Sequence, residues 1–332
     1  MKKYFIGNNA SDVWLKSFKA IKSVNSSGIV ATRIGKCIEI LHANYEILDP
    51  IQKWVSIRKP SINPAFALAE IVWILNGSND SKFINFWNPI LPKYAGKGKY
   101  YHGAYGYRIR KHFHFDQLEN AYLAFKSNPN TRQVVIEIWD SCIDFPYKNG
   151  NAVSEDIPCN ICSILKIRND KLYWTQIIRS NDLFLGVPYN FVQFTSLQEI
   201  LAGWLNINPG SYYQYSDSLH LYEKDLLKVS YDLKKKITNC DSLSIPKKKS
   251  DILFERIFER MQNIINSNLT KKKFVFNASL NSDEIAFNNI LYLIGADAAF
   301  RKGWRDISEK LLNLCENKLY KKMWENWKKN KT

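Results

Sequence analysis

Two β-rich runs between Ile161 and Ile178 flank Asn169-Asp170, and this pairing constrains the chain more than any other stretch. It reads as a hairpin, so an antiparallel sheet has to bury one of its faces. The covering layer is legible too. Residues 64 to 76 form an apolar helix that Pro64 opens and Gly77 closes. Phe194 to Leu205 is a second apolar helix, ended near Pro209-Gly210. Between residues 11 and 58, Val13, Leu15, Phe18 and Ile21 recur at helical spacing, followed by strands around Ile29 and over Ile38 to Leu41. Gln133 to Ile138 alternates with a period of two. Long helices mixed with antiparallel strands predict an α+β fold.

The chain has 332 residues, enough for one large domain or two ordinary ones. Aromatic residues make up 14%, which excludes disorder across most of it. A compositional break near residue 235 separates an expected domain, 1–235, from a basic, mostly helical C-terminal extension, 236–332. Within that extension Asp283 to Trp327 reads as wholly helical, with Ser282 as N-cap and Ile307, Leu311, Leu314, Met323 and Trp327 as an apolar stripe. The six cysteines are few for the length and read as thiols of a reducing compartment. No apolar run approaches the roughly 18 residues of a membrane span, and no signal peptide follows Met1, so a cytoplasmic location is expected.

Net charge is +16, and from Leu226 onward 22 Lys and Arg stand against 12 Asp and Glu. The triplets Lys234-Lys235-Lys236, Lys247-Lys248-Lys249 and Lys271-Lys272-Lys273 have the charge to neutralise nucleic-acid phosphates. A solvated basic surface is the plainer reading. A basic protein also attracts small phosphorylated substrates.

The chemistry concentrates in Pro158-Cys159, in Arg179-Ser180-Asn181-Asp182-Leu183-Phe184-Leu185-Gly186-Val187-Pro188-Tyr189-Asn190, and in His220-Leu221-Tyr222. Taken singly, a cysteine is more often core than nucleophile, and a lone arginine is usually surface charge. Together they place ionisable groups on both sides of an apolar loop, which is costly to bury without partners.

The middle segment resembles the thymidylate synthase family, including its pyrimidine nucleotide hydroxymethylases, through the pattern Gln-Arg-Ser-x-Asp-x-x-Leu-Gly-x-Pro-Phe-Asn. Ile178 replaces the Gln and Tyr189 the Phe. Ala69-Glu70-Ile71-Val72-Trp73 through Gly77, Gly103-Ala104-Tyr105-Gly106-Tyr107-Arg108, Thr131-Arg132-Gln133 and Trp139 resemble further family motifs in the family's order. Together they span roughly residues 60 to 225, about half of the chain.

The resemblance implies a one-carbon transfer to C5 of a pyrimidine nucleoside monophosphate from 5,10-methylenetetrahydrofolate as co-substrate, and no metal. Cys159 would add to C6 and turn C5 into a nucleophile. Arg179 and Ser180 would hold the phosphate, Arg179 also easing thiol ionisation. Glu70 and Tyr105 would move protons, and Asp182 would bind the pterin. His220 and Tyr222, on one face of a strand, would take the sugar 3′-hydroxyl. Trp87, Gly186 and Tyr189 are weaker folate-pocket candidates. Asn190 complements uracil, whose N3–H donor and O4 acceptor match one carboxamide, whereas resembling cytidylate hydroxymethylases carry Asp there. Glu70, on an apolar helix, is expected to have a raised pKa.

In the family an arginine pair reaches a partner subunit's phosphate, so Arg132 implies a homodimer acting in trans, although its neighbour is Gln133. Arg33 lies near the place of a further phosphate arginine without aligning cleanly. Asn160 stands where synthases have His, and Ser218 where they have Asp. The stretch from Ile38 to Pro50 is closer to a hydroxymethylase, and the apolar tail that closes over folate in synthases has no recognisable counterpart. The leading expectation is methylation of deoxyuridylate. Hydroxymethylation, if water reaches the intermediate, and a non-catalytic nucleotide- or nucleic-acid-binding homologue are the alternatives.

Overall fold

The computed structural model describes residues 3–24, 28–32, 35–233, 237–265 and 268–329. Arg33 and the triplet Lys234-Lys235-Lys236 lie outside the described residues. The strands are β1 (Tyr4–Gly7), β2 (Ile29–Thr32), β3 (Gly35–Ile47), β4 (Arg58–Lys59), β5 (Val135–Glu137), β6 (Asn160–Arg168), β7 (Lys171–Asp182), β8 (Asn208–Tyr222) and β9 (Ser230–Tyr231). Among the described residues, seven of them form one mixed sheet in the order β1-β3-β8-β7-β6-β5, with β2 also on β3, while β4 pairs with β9. β1–β3 and β7–β8 run parallel and the other pairs antiparallel. The hairpin β6–β7 turns at Asn169 and Asp170, both at positive φ, as a two-residue turn of matching twist requires.

The longer helices before residue 235 are α1 (Ala10–Lys22), α2 (Pro64–Leu75), α3 (Ser81–Trp87), α6 (Gln117–Ser127) and α8 (Gly186–Trp204); single turns α4 (Pro92–Ala95), α5 (Tyr105–Tyr107), α7 (Ser141–Asp144) and α9 (Glu223–Leu226) complete the series. Asn9 caps α1, which buries Val13, Trp14, Phe18 and Ile21, and the Trp14 indole donates to Leu183 O at 2.9 Å. Asn63 caps α2, Pro64 occupies its first turn, and every α2 residue except Glu70 is buried. Glu70 is thus the polar exception in a core helix. Gly106 lies against Ile74, where a Cβ would stand 2.4 Å from the Ile74 carbonyl oxygen, and this close approach carries Tyr105 alongside α2.

Three expectations need correction. The Gly186 to Asn190 stretch is not a loop before a helix at Phe194: it is the first turn and a half of α8. Pro188 is tolerated there because first-turn N–H groups have no intrahelical partner. Residues 283–327 are not one helix but α12 (Ile285–Arg301), α13 (Arg305–Leu314) and α14 (Lys318–Lys328). Gly303 breaks the first junction at φ 77°, and Asn317 caps α14 by accepting from Leu319 N and Tyr320 N. Glu284, not Ser282, is the N-cap of α12, while Ser282 Oγ accepts from Glu284 N at 3.1 Å.

Ahead of these lie α10 (Lys247–Ile265) and α11 (Lys271–Asn277). The C-terminal helices share one apolar core with α2 and α8. A buried ion pair pins the connection: Lys53 Nζ meets Glu199 Oε2 at 2.5 Å, and Glu199 Oε1 accepts from Leu243 N at 2.7 Å and Ser242 Oγ at 3.0 Å. The lysine triplets are partly engaged. Lys247 pairs with Glu119 and Asp251, Lys249 with Asp283 and Glu284, and Lys271 with Asp306. All six cysteines are free thiols, and among the described residues no helix is long and apolar enough to cross a membrane.

Candidate functional site

A cavity of about 1160 Å³ opens between α2, α3, the start of α8, the ends of β7 and β8, and the C-terminal helices. That volume holds two medium-sized ligands side by side. Cys159, Glu70, Tyr105, Asp182, Arg179, Ser180, Asn190, His220, Tyr222, Gly186, Tyr189 and Trp87 all border it. Arg132 does not: it is exposed on the segment between α6 and β5.

Cys159 ends the loop that enters β6, and Arg179 N on the neighbouring strand donates to its carbonyl at 2.9 Å. The Arg179 guanidinium secures the same loop, Nε donating to Pro158 O at 3.0 Å and Nη2 to Ile157 O at 3.1 Å, over the Trp139 ring. Burial pushes the Cys159 thiol up, and Arg179 is the influence that opposes it. The expected easing by Arg179 is therefore present but is outweighed by burial.

Asn190 sits one turn into α8, and its Nδ2 donates to Asn181 Oδ1 at 3.1 Å. Asn181 Nδ2 donates to Ser216 Oγ at 3.1 Å, which also accepts from Gln214 Nε2 at 3.3 Å. This leaves Asn190 with one amide proton and its carbonyl oxygen, a donor and an acceptor side by side. Gly186 is what makes room: a Cβ there would stand 2.7 Å from Asn181 Oδ1. The Asn181–Ser216–Gln214 chain escaped the sequence reading, because only the β7–β8 register, with Ser180 opposite Ser218, brings these residues together.

Burial raises the Glu70 carboxyl from 4.5 to about 7, against a smaller lowering by the Gln193 side chain. Glu70 Oε2 and Gln193 Oε1 are enclosed without hydrogen-bond partners. Burial also pushes the Tyr105 phenol up. Asp182 is raised by burial, opposed by the Phe184 N–H at 2.8 Å and by His220, while burial lowers His220. His220 and Tyr222 stand edge to face with ring centroids 5.2 Å apart, and Leu183 N donates to His220 O at 2.8 Å. Ser218 Oγ donates to Glu39 Oε1 at 2.5 Å, so a carboxylate from β3 stands beside the place where synthases have Asp.

The far wall of the cavity was not foreseen. Phe300 and Arg301 of α12 and Trp327 of α14 border it, as does buried Arg58. Arg301 donates to Asp297 Oδ2 at 2.6 Å and to Trp87 O at 2.7 Å, lying 5.5 Å from the Trp327 ring centre. Arg58 stacks 4.1 Å from the Phe184 ring centre, and burial lowers its pKa to about 10. Tyr189 is held by its hydroxyl, which accepts from Asn63 N at 3.1 Å.

Over 243 residues the chain is 32% identical to the deoxyuridylate hydroxymethyltransferase of Bacillus phage SP01, covering 70% of this chain and 62% of the relative. It is 35% identical over 185 residues to the deoxyuridylate hydroxymethyltransferase of Pseudomonas phage M6, covering 55% and 51%. With the thymidylate synthase of Francisella philomiragia it shares 26% over 196 residues, covering 55% and 70%. The chain thus spans about half to three fifths of the length of the two phage relatives. Residues 54–269 match the family model for thymidylate synthase, a stretch that contains β6, β7, α8 and β8 and with them most of the cavity wall. A match over most of the chain, on the segments that gather Cys159, Asn190 and His220 round one cavity, means that the chain belongs to the thymidylate synthase family.

Proposed function

We propose that the chain transfers a one-carbon unit to C5 of deoxyuridylate through a Cys159–C6 adduct, and that the product is 5-hydroxymethyl-deoxyuridylate. One observation carries this reading: a thiol, a phosphate-matching arginine, a fixed carboxamide and a carboxyl group of near-neutral pKa border the same cavity. Arg179 and Ser180 bind the phosphate, with the Arg179 fork still anchored to residues 157 and 158. Asn190 takes N3–H on its oxygen and O4 on its remaining proton. His220 and Tyr222 take the sugar hydroxyl.

The Cys159 thiolate adds to C6, and the displaced electron pair settles on O4, so that C5 becomes nucleophilic. Methylenetetrahydrofolate supplies the carbon; the cavity volume, the aromatic wall of Trp87 and Trp327, and half-buried Asp182 fit it. Tyr105 stands at the C5 hydrogen, which leaves as a proton as the carrier amine departs. Glu70 then takes a proton from a water that attacks the exocyclic methylene, and the electron pair returning through the ring expels the Cys159 thiolate.

Support for hydroxymethylation comes from the phage relatives, named deoxyuridylate hydroxymethyltransferases, and from Glu70 as a base at neutral pH. Methylation, the leading expectation from sequence, is the second reading; the thymidylate synthase relatives and the shared chemistry up to the methylene favour it. Arg132, exposed and outside its own cavity, is proposed to reach a partner's phosphate in a homodimer. A nucleic-acid role is less favoured, since Lys247, Lys249 and Lys271 face acidic residues of the chain.

Mass spectrometry of the product from deoxyuridylate and methylenetetrahydrofolate tests the reading. The expected product is a hydroxymethyl nucleotide, without the absorbance rise of dihydrofolate. A methyl product with stoichiometric dihydrofolate selects the second reading, and no product from either nucleotide base refutes both.

A further inference from the structure

Asn160 follows Cys159 directly, yet it is fully buried behind the cavity wall. Its amide is held by a hydrogen-bond chain whose direction is set at the far end. An indole N–H can only donate, and Trp174 Nε1 donates to Gln176 Oε1 at 3.1 Å. Ser163 Oγ donates to the same oxygen at 2.6 Å. Gln176 therefore turns its Nε2 the other way, onto Asn160 Oδ1 at 3.0 Å. Asn160 is left with Nδ2 pointing onward, enclosed and without a hydrogen-bond partner.

A buried donor at the end of an otherwise satisfied chain is costly unless some state of the protein gives it an acceptor. The neighbour on the cavity side is the Tyr105 phenol, whose ionisation the Asn160 amide eases against the effect of burial. We infer that Asn160 is a positioning residue: its Nδ2–H fixes the Tyr105 oxygen as an acceptor and so aims the phenolic proton into the cavity, at the C5 side of the bound pyrimidine. The histidine that synthases carry here also has an N–H to give, so Asn160 keeps the donor and sheds the titratable ring. The inference rests on the reading of Cys159 and Tyr105 given above.

A reaction that needs no folate isolates the step. Cys159 Sγ adds to C6 as a proton adds to C5; the C5–H and C6–S bonds then break, and the C5 hydrogen exchanges with water without net change. Loss of label from 5-deuterated deoxyuridylate measures it by mass spectrometry. Sulfur addition is read separately by the covalent complex with 5-fluorodeoxyuridylate and methylenetetrahydrofolate, in which C5 carries no removable hydrogen. Asn160→Asp keeps the shape and the acceptor for Gln176 but replaces the donor with oxygen. Gln176→Glu, outside the cavity, reverses the chain, so that Asn160 turns Nδ2 to the new carboxylate and its oxygen to Tyr105. Both variants are expected to slow exchange by about 10- to 100-fold while forming the fluorinated adduct at the wild-type rate, and Asn160→His is expected to restore exchange. Unchanged exchange in both variants overturns the inference. A parallel fall of exchange and adduct also overturns it, because it marks a merely structural residue. Failure of the wild-type protein to form the adduct would instead sink the reading of Cys159.

Discussion

Glu70→Gln couples the stability of this protein to its chemistry in one substitution. Burial raises the carboxyl from 4.5 to about 7, so the folded chain holds this proton more tightly than the unfolded chain. The resulting stabilisation is complete below about pH 4.5 and is lost as the pH climbs through about 7. The gap of about 2.5 pH units, at about 1.4 kcal/mol each, sets a ceiling of about 3.5 kcal/mol. Glutamine keeps the shape of the side chain and cannot ionise. The variant and the wild type should therefore be equally stable near pH 4, with the variant ahead by about 1 kcal/mol at pH 5 and about 3 kcal/mol at pH 8. Urea unfolding of the ligand-free protein, followed by tryptophan fluorescence at several pH values, measures the difference. The same variant should lose at least about 100-fold in turnover, because the group proposed to move the proton is gone. A stability difference that is flat across pH, or that favours the wild type at pH 8, would refute the argument that burial of the Glu70 carboxylate in this wall is costly.

Cys159→Ala should abolish product and the fluorinated adduct while leaving nucleotide affinity within about threefold; any residual turnover near the wild-type rate removes it as nucleophile. Asn190→Asp should shift the preference toward deoxycytidylate by at least about tenfold in kcat/KM, since it replaces the donor facing O4 with an acceptor; an unchanged base preference defeats the assignment. Trp327→Ala should raise KM for methylenetetrahydrofolate by about tenfold, near 1.4 kcal/mol, with nucleotide binding unchanged; calorimetry of the ternary complex checks it, and an unaltered folate affinity takes Trp327 out of the site. Lys53→Met strands the buried Glu199 carboxylate and should cost about 3–5 kcal/mol in urea unfolding, whereas a loss under about 1 kcal/mol would mean that the Ser242 and Leu243 donors suffice.

Local signals were enough for the elements that carry their own punctuation. Pro64 and Gly77 bracket α2, and Asn169-Asp170 turns the β6–β7 hairpin. The candidate site residues could be named because they are clustered along the chain, and all of those named for catalysis or binding except Arg132 border a single cavity. Misreadings arose where a strong local cue has a second structural use. The apolar stretch through Pro188 reads as a loop but forms a first helical turn, and Ser282 reads as a cap but turns the chain one step before Glu284. Asn181, Ser216, Gln214 and Gln176 stayed invisible for another reason. Each lies on a strand, and its role depends on which residue the register places opposite, a property of the pairing rather than of the residue.

The C-terminal helices make the strongest case for the limits of motif reading. They lie beyond the motif-bearing stretch, and their lysines draw attention to the surface, yet their buried side does the positioning. Arg301 joins α12 to the backbone of Trp87, and Trp327 stands over that guanidinium at the same wall. On the mechanism proposed above, sulfur addition depends on residues near Cys159 and is common to the methylating and hydroxymethylating readings. On the same mechanism, the fate of the exocyclic methylene would depend on whether a water can stand beside it next to Glu70, and so on how the folate side of the cavity is walled. On the proposed mechanism, side chains that carry no catalytic motif would therefore select between two products of one covalent intermediate. It follows that substitutions at Trp327 and Arg301 should alter the partition of that intermediate, whereas substitutions at Arg179 should change only how fast it forms.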